Sequence, residues 1–553
     1  MKTKQAAPNL DPEQLQADVE HRIRDSGETW RRYTCRLVTP MYGGGVIPGE
    51  VDRDMPIRAT AIRGQLRYWW RLLHRHLDSR TLFAAERAVW GGLGEGDLAA
   101  SKVLITVENW SLPVPEAVGR YPRRGTGHRA TLEWEEWAHP YALFPAQGKV
   151  ERGQIKDNPR SVAREGLTWT LRLAFRDLPR EAAQRHELVH GVDEAVRWWA
   201  SFGGVGARTR RGLGALEITS VSPGSFAYVS AAEAEQAGLQ LTLKAPEASA
   251  TAAWKLAVDA LRSFRQGQGI GRNGPARDSR SPAGRSLWPE PDAIRRLVGS
   301  PSLRHPAKHE AGNVFPRAAF GLPIIFHFKD SDDPNDSELV PLTGGKRHDR
   351  MASPLIIRPY PASQGKWHPA ILSLPSDHVW RMELELRNSG KGENAGQDDA
   401  SKVERNTELR NSKKEETAGL PQQLPPGAWW PADDSARQRK TALIKPLTGR
   451  GSDPLAALVA YFTPPAGVAP TAVMSAPLQE ETWEKAQIKY IQRNGTVEAT
   501  GPNNRAATAI QQKGQEIWDG LSPAARSQIT GGRFFRAVAV VKGKDLQIGR
   551  AHV

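Results

Sequence analysis

The chain has 553 residues, of which 39% are hydrophobic and 25% are charged. Because a single hydrophobic core stops growing near roughly 250 to 300 residues, we expect two domains with some solvated segments. Lysine and arginine number 76 against 61 acidic residues, a formal net charge of +15, so we expect a polyanionic partner, with nucleic acid as the first candidate.

Several other classes of protein are excluded. No apolar run approaches the about 18 residues of a membrane span, and the N-terminal segment MKTKQAAPNLDPEQ has no apolar core. We therefore expect no membrane insertion and no signal peptide, and predict a cytoplasmic protein. The single cysteine, Cys35, excludes an internal disulfide and a thiolate zinc site, and its surroundings, YTCRLV, predict a buried side chain.

The first domain is predicted over residues 29–225, after a flexible N-terminal extension at 1–28. The spacing of apolar residues predicts a strand at 33–38, a glycine turn at 43–45, a helix at 59–77, strands at 102–108 and 168–175, a helix at 181–202 and a strand at 215–221. The order strand, helix, strand, strand, helix, strand is that of a ferredoxin-like, split βαβ domain.

A second, diverged copy is predicted over residues 238–553. It begins with a strand at 240–244 and a helix at 250–265, and later strands are predicted at 322–328 and 355–360. A polar segment at about 388–427 has too few apolar residues to offset the entropy of ordering, so we predict a disordered insertion there. The predicted fold class is α+β, with two tandem ferredoxin-like domains.

The segment 203–214, GGVGARTRRGLG, lies between a predicted helix and a predicted strand. Its glycines, Gly204 and Gly206 among them, permit close approach of the backbone to a ligand, and its arginines supply permanently charged forks for phosphates. The absence of GK[ST] and the position of the glycines at a helix end exclude a P-loop and a dinucleotide site. We interpret the segment as a cradle for RNA through Arg208, Arg210 and Arg211; a turn with solvated arginines is the alternative.

A second glycine- and arginine-rich segment occupies residues 264–291, FRQGQGIGRNGPARDSRSPAGRSLWPEP. Arginine neutralises phosphate and an aromatic ring stacks on an unpaired base, a combination suited to single strands. A flexible basic loop of similar composition is the alternative. The candidate RNA contacts of this segment are Arg265, Arg272, Arg277, Arg280, Arg285 and Trp288.

The first predicted helix, IRGQLRYWWRLLHRHL, carries an arginine at every fourth position, so Arg63, Arg67, Arg71 and Arg75 line one face. Trp70 falls at the border between this face and the apolar one, from which we predict that its ring reaches an RNA base. A solvated helix face is the alternative for the arginines.

Support for catalysis is weak. Residues 186–190, HELVH, match the HExxH motif of helical zinc proteases, but no HxxGxxH continuation follows His190, and the arginine-rich segment after this helix offers no carboxylate as a third ligand. No nucleophile motif, carboxylate constellation or nucleotide-binding lysine loop is recognisable, so we predict no metal, no cofactor and no enzyme activity. His74 and His76 lie among arginines, which leaves acid–base cleavage of RNA as an alternative.

Six stretches, taken together and in order, resemble the first RAMP subunit of the Cmr, type III-B, CRISPR effector complex. They are VTPMYGGG, IRGQLRYWWR, GGVGARTRRGLG, the segment from FRQGQGIGR to GRSLWPEP, FPRAAFGLPI and RMASPLIIRPY. The resemblance is dense over residues 33–360 and looser beyond them.

This resemblance implies two ferredoxin-like RAMP domains, related to RNA-recognition motifs, in a non-catalytic subunit of an antiviral complex. The subunit would cap the complex near the 3′ end of the guide RNA (crRNA), with the guide, a single-stranded target RNA and neighbouring subunits as partners. The RNA contacts implied by motif are Arg63, Arg67, Trp70, Arg71, Gly204, Gly206, Arg208, Arg210 and Arg211. Because related RAMP proteins include endoribonucleases, metal-independent processing of CRISPR precursor RNA is the alternative function.

Overall fold

The computed structural model divides into two compact units, Met1–Pro465 and Ala466–Val553. It describes residues 11–25, 30–94, 98–121, 132–151, 154–273, 284–299, 302–303, 305–328, 332–388, 420–462, 480–491, 496–500, 506–509, 526–527, 535–542 and 545–548. None of the helices in these ranges combines the length and apolarity needed to cross a membrane.

The first unit contains both helices and strands. Its α-helices are α1 Pro12–Asp25, α2 Ala59–Leu73, α3 Ser79–Trp90, α4 Ala182–Phe202, α5 Ala231–Gln236, α6 Ala250–Gln266, α7 Glu290–Leu297, α8 Asp377–Trp380, α9 Asp434–Leu443 and α10 Pro454–Phe462. Short 3₁₀ helices include Phe144–Ala146, Thr209–Arg211 and Pro316–Phe320.

The strands of the first unit form several small antiparallel sheets. They are β1 Arg31–Leu37, β2 Gly92–Leu93, β3 Leu98–Ala99, β4 Val103–Ser111, β5 Glu116–Ala117, β6 Gly119–Arg120, β7 Glu133–Trp134, β8 Lys149–Glu151, β9 Gln154–Asp157, β10 Ser161–Val162, β11 Thr168–Phe175, β12 Leu216–Ser222, β13 Gln240–Leu243, β14 Ile324–Phe326, β15 Ser337–Thr343, β16 Lys346–Arg347, β17 Leu355–Pro361, β18 Trp367–Ser373, β19 Glu383–Asn388 and β20 Gln422–Leu424.

The sheet β12–β1–β11–β4 has the element order predicted for the first domain. Its strands are antiparallel, with α2 following β1 and α4 connecting β11 to β12. Alternate residues of β1 are buried, including Cys35 and Leu37, and they share a core with Leu66 of α2 and Val196 of α4. This period of two is what a strand with one face on helices requires.

The second predicted copy is present only in part. The sheet β13–β18–β17 contains three strands, with α6 following β13, and a fourth strand is absent from the described part of this sheet. The strand predicted at 322–328 is β14, and it belongs to another sheet because Ile324 pairs with Leu339 of β15. The α+β class is therefore observed, with one complete and one partial βαββαβ arrangement.

The predicted domain boundary between residues 225 and 238 does not separate two cores. Leu213, from the first half, lies in a core with Trp254 and Phe264 of α6. Conversely, Ile356 and Leu372 of the second half lie in the core that contains Trp199 of α4. Because each half completes the other's core, residues up to Pro465 form one compact unit.

Two predictions of disorder require correction. Within the predicted flexible extension, residues 12–25 form α1, whose Ile23 is buried and whose Glu20 accepts a hydrogen bond from the indole of Trp30 at 3.3 Å. At the other site, residues 420–427 of the predicted insertion include β20, which pairs with β19. Residues 389–419 lie outside the described residues.

Arg358 of β17 joins the two halves. Its side chain is 1% exposed, and its guanidinium donates from Nη1 to the carbonyl of Gly203 at 2.9 Å and from Nη2 to that of Leu216 at 3.2 Å. Nε donates to the carbonyl of Pro359 at 2.9 Å. Burial lowers the pKa of Arg358 to about 10, so the side chain stays protonated at neutral pH and all three acceptors are satisfied by charge-assisted hydrogen bonds.

The second unit is a closed barrel of five strands, β21 Glu480–Ile491, β22 Thr496–Thr500, β23 Ala506–Ala509, β24 Phe535–Lys542 and β25 Asp545–Ile548. These residues were predicted as part of the second ferredoxin-like domain. They instead form a separate compact unit with its own strand pairing.

Replacing Arg358 with methionine should lower the free energy of unfolding of the first unit. The carbonyls of Gly203 and Leu216 would be left buried without donors, at about 1–3 kcal/mol each. Arg36→Met is the matched control, since Arg36 forms an exposed pair with Glu217 in the same sheet and should cost no more than about 1 kcal/mol. Urea denaturation of the full chain measures both, and equal costs would contradict the role given to Arg358.

Candidate nucleic-acid interface

The glycine- and arginine-rich segment 203–214 folds back over the glycine turn that follows β1. The amide of Ala207 donates to the carbonyl of Tyr42, and that of Gly214 to the carbonyl of Pro40, both at 2.8 Å. Gly206 has φ +75° and is exposed, and a Cβ added to Gly44 would lie 3.6 Å from its Cα. The two glycine-rich backbones thus form one exposed surface beside the start of α2.

Gly204 is placed differently from Gly206. It is buried, and its carbonyl accepts a hydrogen bond from the indole of Trp199 at 3.2 Å. It lines a cavity of about 50 Å³ together with Gly44, Gly206 and the first turn of α2. The prediction that Gly204 contacts RNA directly is therefore wrong, because the turn uses this residue to pack on α4 and presents Gly206 instead.

Arg208 is the exposed cation of the segment. It has a left-handed backbone, φ +61° and ψ +29°, a conformation that costs a non-glycine residue energy and that recurs at functional sites. Its Nε donates to the carbonyl of Ala142 at 2.8 Å. Within the described residues no carboxylate pairs with its guanidinium, so the charge of Arg208 is available to a ligand, as predicted.

Arg210 and Arg211 have mainly structural contacts. Arg210 donates from Nη2 to the hydroxyl of Tyr68 at 3.0 Å and from Nη1 to the carbonyl of Ser353. Arg211 donates from Nη2 to the carbonyl of Phe320 at 3.3 Å, and burial lowers its pKa to about 10. Their predicted role as direct phosphate ligands is corrected. They hold the segment 203–214 to the second half of the first unit, and their positive charges add to the potential around Arg208.

The two arginine-rich segments, predicted as separate sites, meet at Tyr141. Arg265 donates from Nη1 to the Tyr141 hydroxyl at 2.9 Å. Burial raises the pKa of Tyr141. The charges of Arg265, Arg211 and Arg208 together lower the pKa by more than burial raises it, so the net shift is downward. We call Arg208, Arg211, Arg265 and Tyr141 the arginine–tyrosine cluster.

The electrostatics of this cluster favour an anion. Burial lowers the pKa of Arg208, Tyr141 and Tyr42 act in the opposite direction, and the neighbouring charge of Arg350 adds to the lowering. Burial likewise lowers the pKa of Arg211, and the charges of Arg265, Arg208 and Arg210 add to the effect. Several guanidinium groups therefore repel one another, and a phosphate placed among them would relieve that repulsion.

The two tryptophans predicted to stack on RNA bases are buried, and this prediction is wrong. Trp70 is 3% exposed, with its ring stacked on His74 at 3.9 Å between centroids. Trp288 is 1% exposed, and its indole donates to the carbonyl of Arg265 at 3.0 Å. The large apolar area of an indole ring favours burial over a half-exposed position.

Phe144, which sequence reasoning missed, provides an exposed ring two residues along the chain from Ala142, whose carbonyl accepts from Arg208. It is 61% exposed at the start of the 3₁₀ helix Phe144–Ala146. The carbonyl of Ala142 accepts from Arg208, and that of Pro145 accepts from the Tyr42 hydroxyl at 3.5 Å. An aromatic ring next to an unpaired arginine is suited to stacking on a single-stranded base. Its sequence context, YALFPAQG, has no periodicity that would single it out.

The arginine face of α2 is mostly paired. Arg67 and Arg71 both contact Glu86 of α3, at 2.8 Å from Nε and 3.1 Å from Nη1, and the carboxylate of Glu86 is 8% exposed. Arg63 donates to the carbonyl of Val103 at 3.0 Å. The RNA-binding roles of Arg63, Arg67 and Arg71 stay predictions: α3 and β4 engage one nitrogen of each side chain, while the side chains of Arg67 and Arg71 remain 36% and 45% exposed.

The remaining arginines of the second segment have different environments. Arg272 is exposed. Arg285 donates from Nη2 to Asp292 at 2.9 Å and to the carbonyl of Pro306 at 2.7 Å, so its predicted role as a free phosphate ligand is corrected. Arg277 and Arg280 lie outside the described residues.

The HExxH segment is on the exposed surface of α4. The rings of His186 and His190 lie parallel, 5.9 Å apart, and Glu187 is exposed. Over the part of the chain that the structure describes, no group of three or more His, Cys, Asp or Glu side chains is arranged to hold a metal ion. Cys35 is fully buried, as predicted, and burial raises the pKa of its thiol.

Replacing Gly214 with alanine should destabilise the first unit more than the same change at Gly224. Both glycines have positive φ, +68° and +99°, but a Cβ on Gly214 would lie 1.8 Å from the carbonyl oxygen of Val205, whereas a Cβ on Gly224 would meet no atom within 4 Å. The backbone cost of roughly 1–2 kcal/mol is common to both, and the overlap adds roughly 1–3 kcal/mol. Thermal unfolding of the two variants compares them, and equal losses would show that the overlap is not limiting.

Comparison with known proteins gives a match to one family. Residues 34–217 match the family model of the RAMP superfamily, whereas a comparison with curated protein sequences finds no match. Among solved structures, the chain is similar to apo Cmr1 from Pyrococcus furiosus at 18% identity and a TM-score of 0.35, covering 63% of this chain and 88% of that one.

Two cryo-EM structures of the type III-B Cmr-beta complex also contain similar chains. One complex is bound to cognate target RNA, with 11% identity, a TM-score of 0.36, and coverage of 62% of this chain and 94% of that one. The other is bound to cognate target RNA and AMPPnP in the presence of ssDNA, with 11% identity, a TM-score of 0.34, and coverage of 62% and 93%. The family match spans most of the sheet β12–β1–β11–β4 and its helices, so the likeness to the RAMP superfamily lies in this domain.

Proposed function

We propose that this chain is a non-catalytic RNA-binding subunit of a type III-B CRISPR effector complex, and that RNA binds at the arginine–tyrosine cluster. The observation that carries the proposal is that two arginines donate to adjacent residues, Arg265 to the hydroxyl of Tyr141 and Arg208 to the carbonyl of Ala142, just before the exposed Phe144 in the chain. Within the described residues no carboxylate pairs with the three arginines of the cluster. The net charge of +15 adds long-range attraction for a polyanion.

The six stretches that carry the resemblance all reach this region. The first supplies Tyr42 and Gly44, the second Tyr68, and the fourth Arg265. The fifth and sixth supply the carbonyls of Phe320 and Ser353, which accept from the arginines of the third. Stretches up to about 300 residues apart in the chain therefore build one surface, which supports the assignment to a RAMP subunit of the Cmr type.

In the proposed mode, a phosphate of a single-stranded RNA lies against Arg208, and the following base stacks on Phe144. The exposed backbone at Gly44 and Gly206 permits close approach of the sugar–phosphate chain. Backbone contacts of this kind position a strand without reading its bases. This suits a subunit that holds guide RNAs of differing sequence near their 3′ ends, together with a captured target and neighbouring subunits.

His139, two residues before Tyr141 in the chain, is enclosed by its neighbours, which supports a binding role. His139 is 5% exposed, its Nε2 lies 3.2 Å from Asp259, and its ring lies edge-on against Trp254. A general base must come within hydrogen-bond reach of a 2′-hydroxyl, and a ring enclosed in this way does not meet that requirement. His74 is likewise engaged, with Nδ1 2.8 Å from the carbonyl of Trp70.

Phe144→Ala and Arg208→Ala should each weaken binding of single-stranded RNA. Loss of the stacking ring should cost about 1–3 kcal/mol, and loss of one phosphate contact should reduce the slope of log K against log salt by about 0.7. Fluorescence anisotropy with a labelled oligonucleotide at several salt concentrations measures both effects.

Matched controls for this experiment are Phe83→Ala, which removes another exposed phenylalanine, and Arg120→Ala, which removes an exposed arginine paired with Glu133. Both should bind RNA as the parent chain does. Equal losses in the test and control variants would show that the cluster is not the binding site.

Incubation of the purified chain with labelled CRISPR precursor RNA, in the presence of a chelator, should leave the RNA intact. Denaturing gel electrophoresis provides the measurement. Discrete fragments that persist in a repeat purification would contradict the non-catalytic assignment and favour the metal-independent endoribonuclease.

A further inference from the structure

The strand order of the second unit is specific. The barrel runs β21–β22–β23–β25–β24 and closes from β24 back to β21. All neighbouring strands are antiparallel except β23 and β25, which pair in parallel through Thr508 and Asp545. The long first strand pairs with β22 through its C-terminal half and with β24 along most of its length, and its register shifts between Trp483 and Ala486.

This is the arrangement of an OB-fold, a five-stranded Greek-key barrel that is partly open. A first strand shared between its second and fourth strands, a bulge in that strand, and a parallel closure between the third and fifth strands distinguish it from an up-and-down barrel. The closure here is a single residue pair. OB-folds bind oligonucleotides or oligosaccharides on the face of their second and third strands.

The register divides the strand residues between two faces, since paired residues of a sheet share a face and neighbours along a strand alternate. One face is almost entirely apolar, as the interior of a closed barrel requires. It carries Trp483, Ala486, Ile488, Tyr490, Val497, Ala499, Ala507, Ala509, Phe535, Ala537, Ala539, Val541, Leu546 and Ile548.

The opposite face of β22, β23 and the C-terminal half of β21 is mostly polar. It carries Gln487, Lys489, Ile491, Thr496, Glu498, Thr500, Ala506 and Thr508. Lys489 and Glu498 are cross-strand partners, so the hydroxyl-bearing positions are not dominated by acidic charge. Over residues 466–553 lysine and arginine outnumber aspartate and glutamate, which favours a polyanion over a neutral oligosaccharide.

We propose that the unit Ala466–Val553 is a second nucleic-acid-binding module, an OB-fold barrel that binds a single-stranded polynucleotide across the polar face of β22 and β23. The occupant is a phosphate backbone with unpaired bases, and either RNA or DNA supplies that chemistry. This module is independent of the arginine–tyrosine cluster, because none of the residues that define it belongs to the first unit.

The test uses the full chain with Phe144→Ala and Arg208→Ala in place, so that binding at the cluster is reduced. In this background Thr500→Glu and Thr508→Glu together introduce two negative charges at the proposed face. Thr482→Glu is the matched control, because Thr482 lies on the same outer face but pairs with Val540 of β24. The probes are a fluorescent oligouridine RNA and a fluorescent oligothymidine DNA.

The double variant should bind at least one of the two probes about tenfold or more weakly than the parent, since phosphates are repelled and stacking is displaced. Thr482→Glu should change binding less than about twofold by the same reasoning. Preference for one probe identifies the source of the strand. Equal weakening in the test and control variants would overturn the proposal, as would binding of neither probe by the parent or unchanged binding by the double variant.

A second measurement is independent of variant stability. Oligonucleotides containing 5-bromouridine or 5-bromodeoxyuridine are crosslinked by light to the unsubstituted chain, and the modified peptides are identified by mass spectrometry. Crosslinks within residues 486–509 are expected. Crosslinks confined to residues 30–462 would overturn this inference and leave the proposed function standing. Crosslinks confined to the barrel would support this inference and contradict RNA binding at the arginine–tyrosine cluster.

Discussion

The first unit depends on one buried guanidinium. Arg358 donates to the carbonyl of Gly203, the first residue of the segment 203–214, and to that of Leu216, just beyond its end, and it comes from β17 in the other half of the unit. Removing such a charge from water is costly unless every donor finds an acceptor. Here the carbonyls supply that compensation, so the position of the glycine-rich segment and the docking of the two halves are stabilised by the same interaction.

With both ends of the segment held, its three arginines take different roles. Arg210 and Arg211 donate to Ser353 and Phe320 of the other half and hold the segment down. Arg208, in its left-handed conformation, remains exposed beside Phe144. Structural contacts thus concentrate positive charge around Tyr141, and mutual repulsion within that cluster is the physical basis of its expected affinity for phosphate.

The two units offer different chemistry to a nucleic acid. The cluster of the first unit combines permanent charge with one exposed ring, which suits a phosphate and an adjacent base. In the barrel of the second unit, β22 and β23 share a face whose positions are mostly polar and uncharged, with Lys489 and Glu498 as cross-strand partners. Salt should weaken binding at the cluster more steeply than binding at the barrel, because counterion release scales with the number of charged contacts.

The sequence by itself determined the elements whose apolar spacing is local. The strand 168–175, the helix that ends at Phe202, and the order of the first sheet are as predicted, because the periods of two and 3.6 are properties of a single segment. The likeness to RAMP proteins was also carried by contiguous stretches. By contrast, the barrel was not recognised, since its topology exists only in the pairing of its strands.

Only the tertiary structure decided which side chains are exposed and unpaired, and therefore able to contact a ligand. Arg67 and Arg71 look like an exposed stripe until Glu86 of α3 packs beside them, and Trp70 and Trp288 look like stacking platforms until the core encloses them. Arg208 and Arg265 are 57 residues apart in number and meet through Tyr141. Exposure, ion pairing and pKa depend on neighbours that are distant in the chain, and those neighbours are fixed by packing rather than by any local pattern.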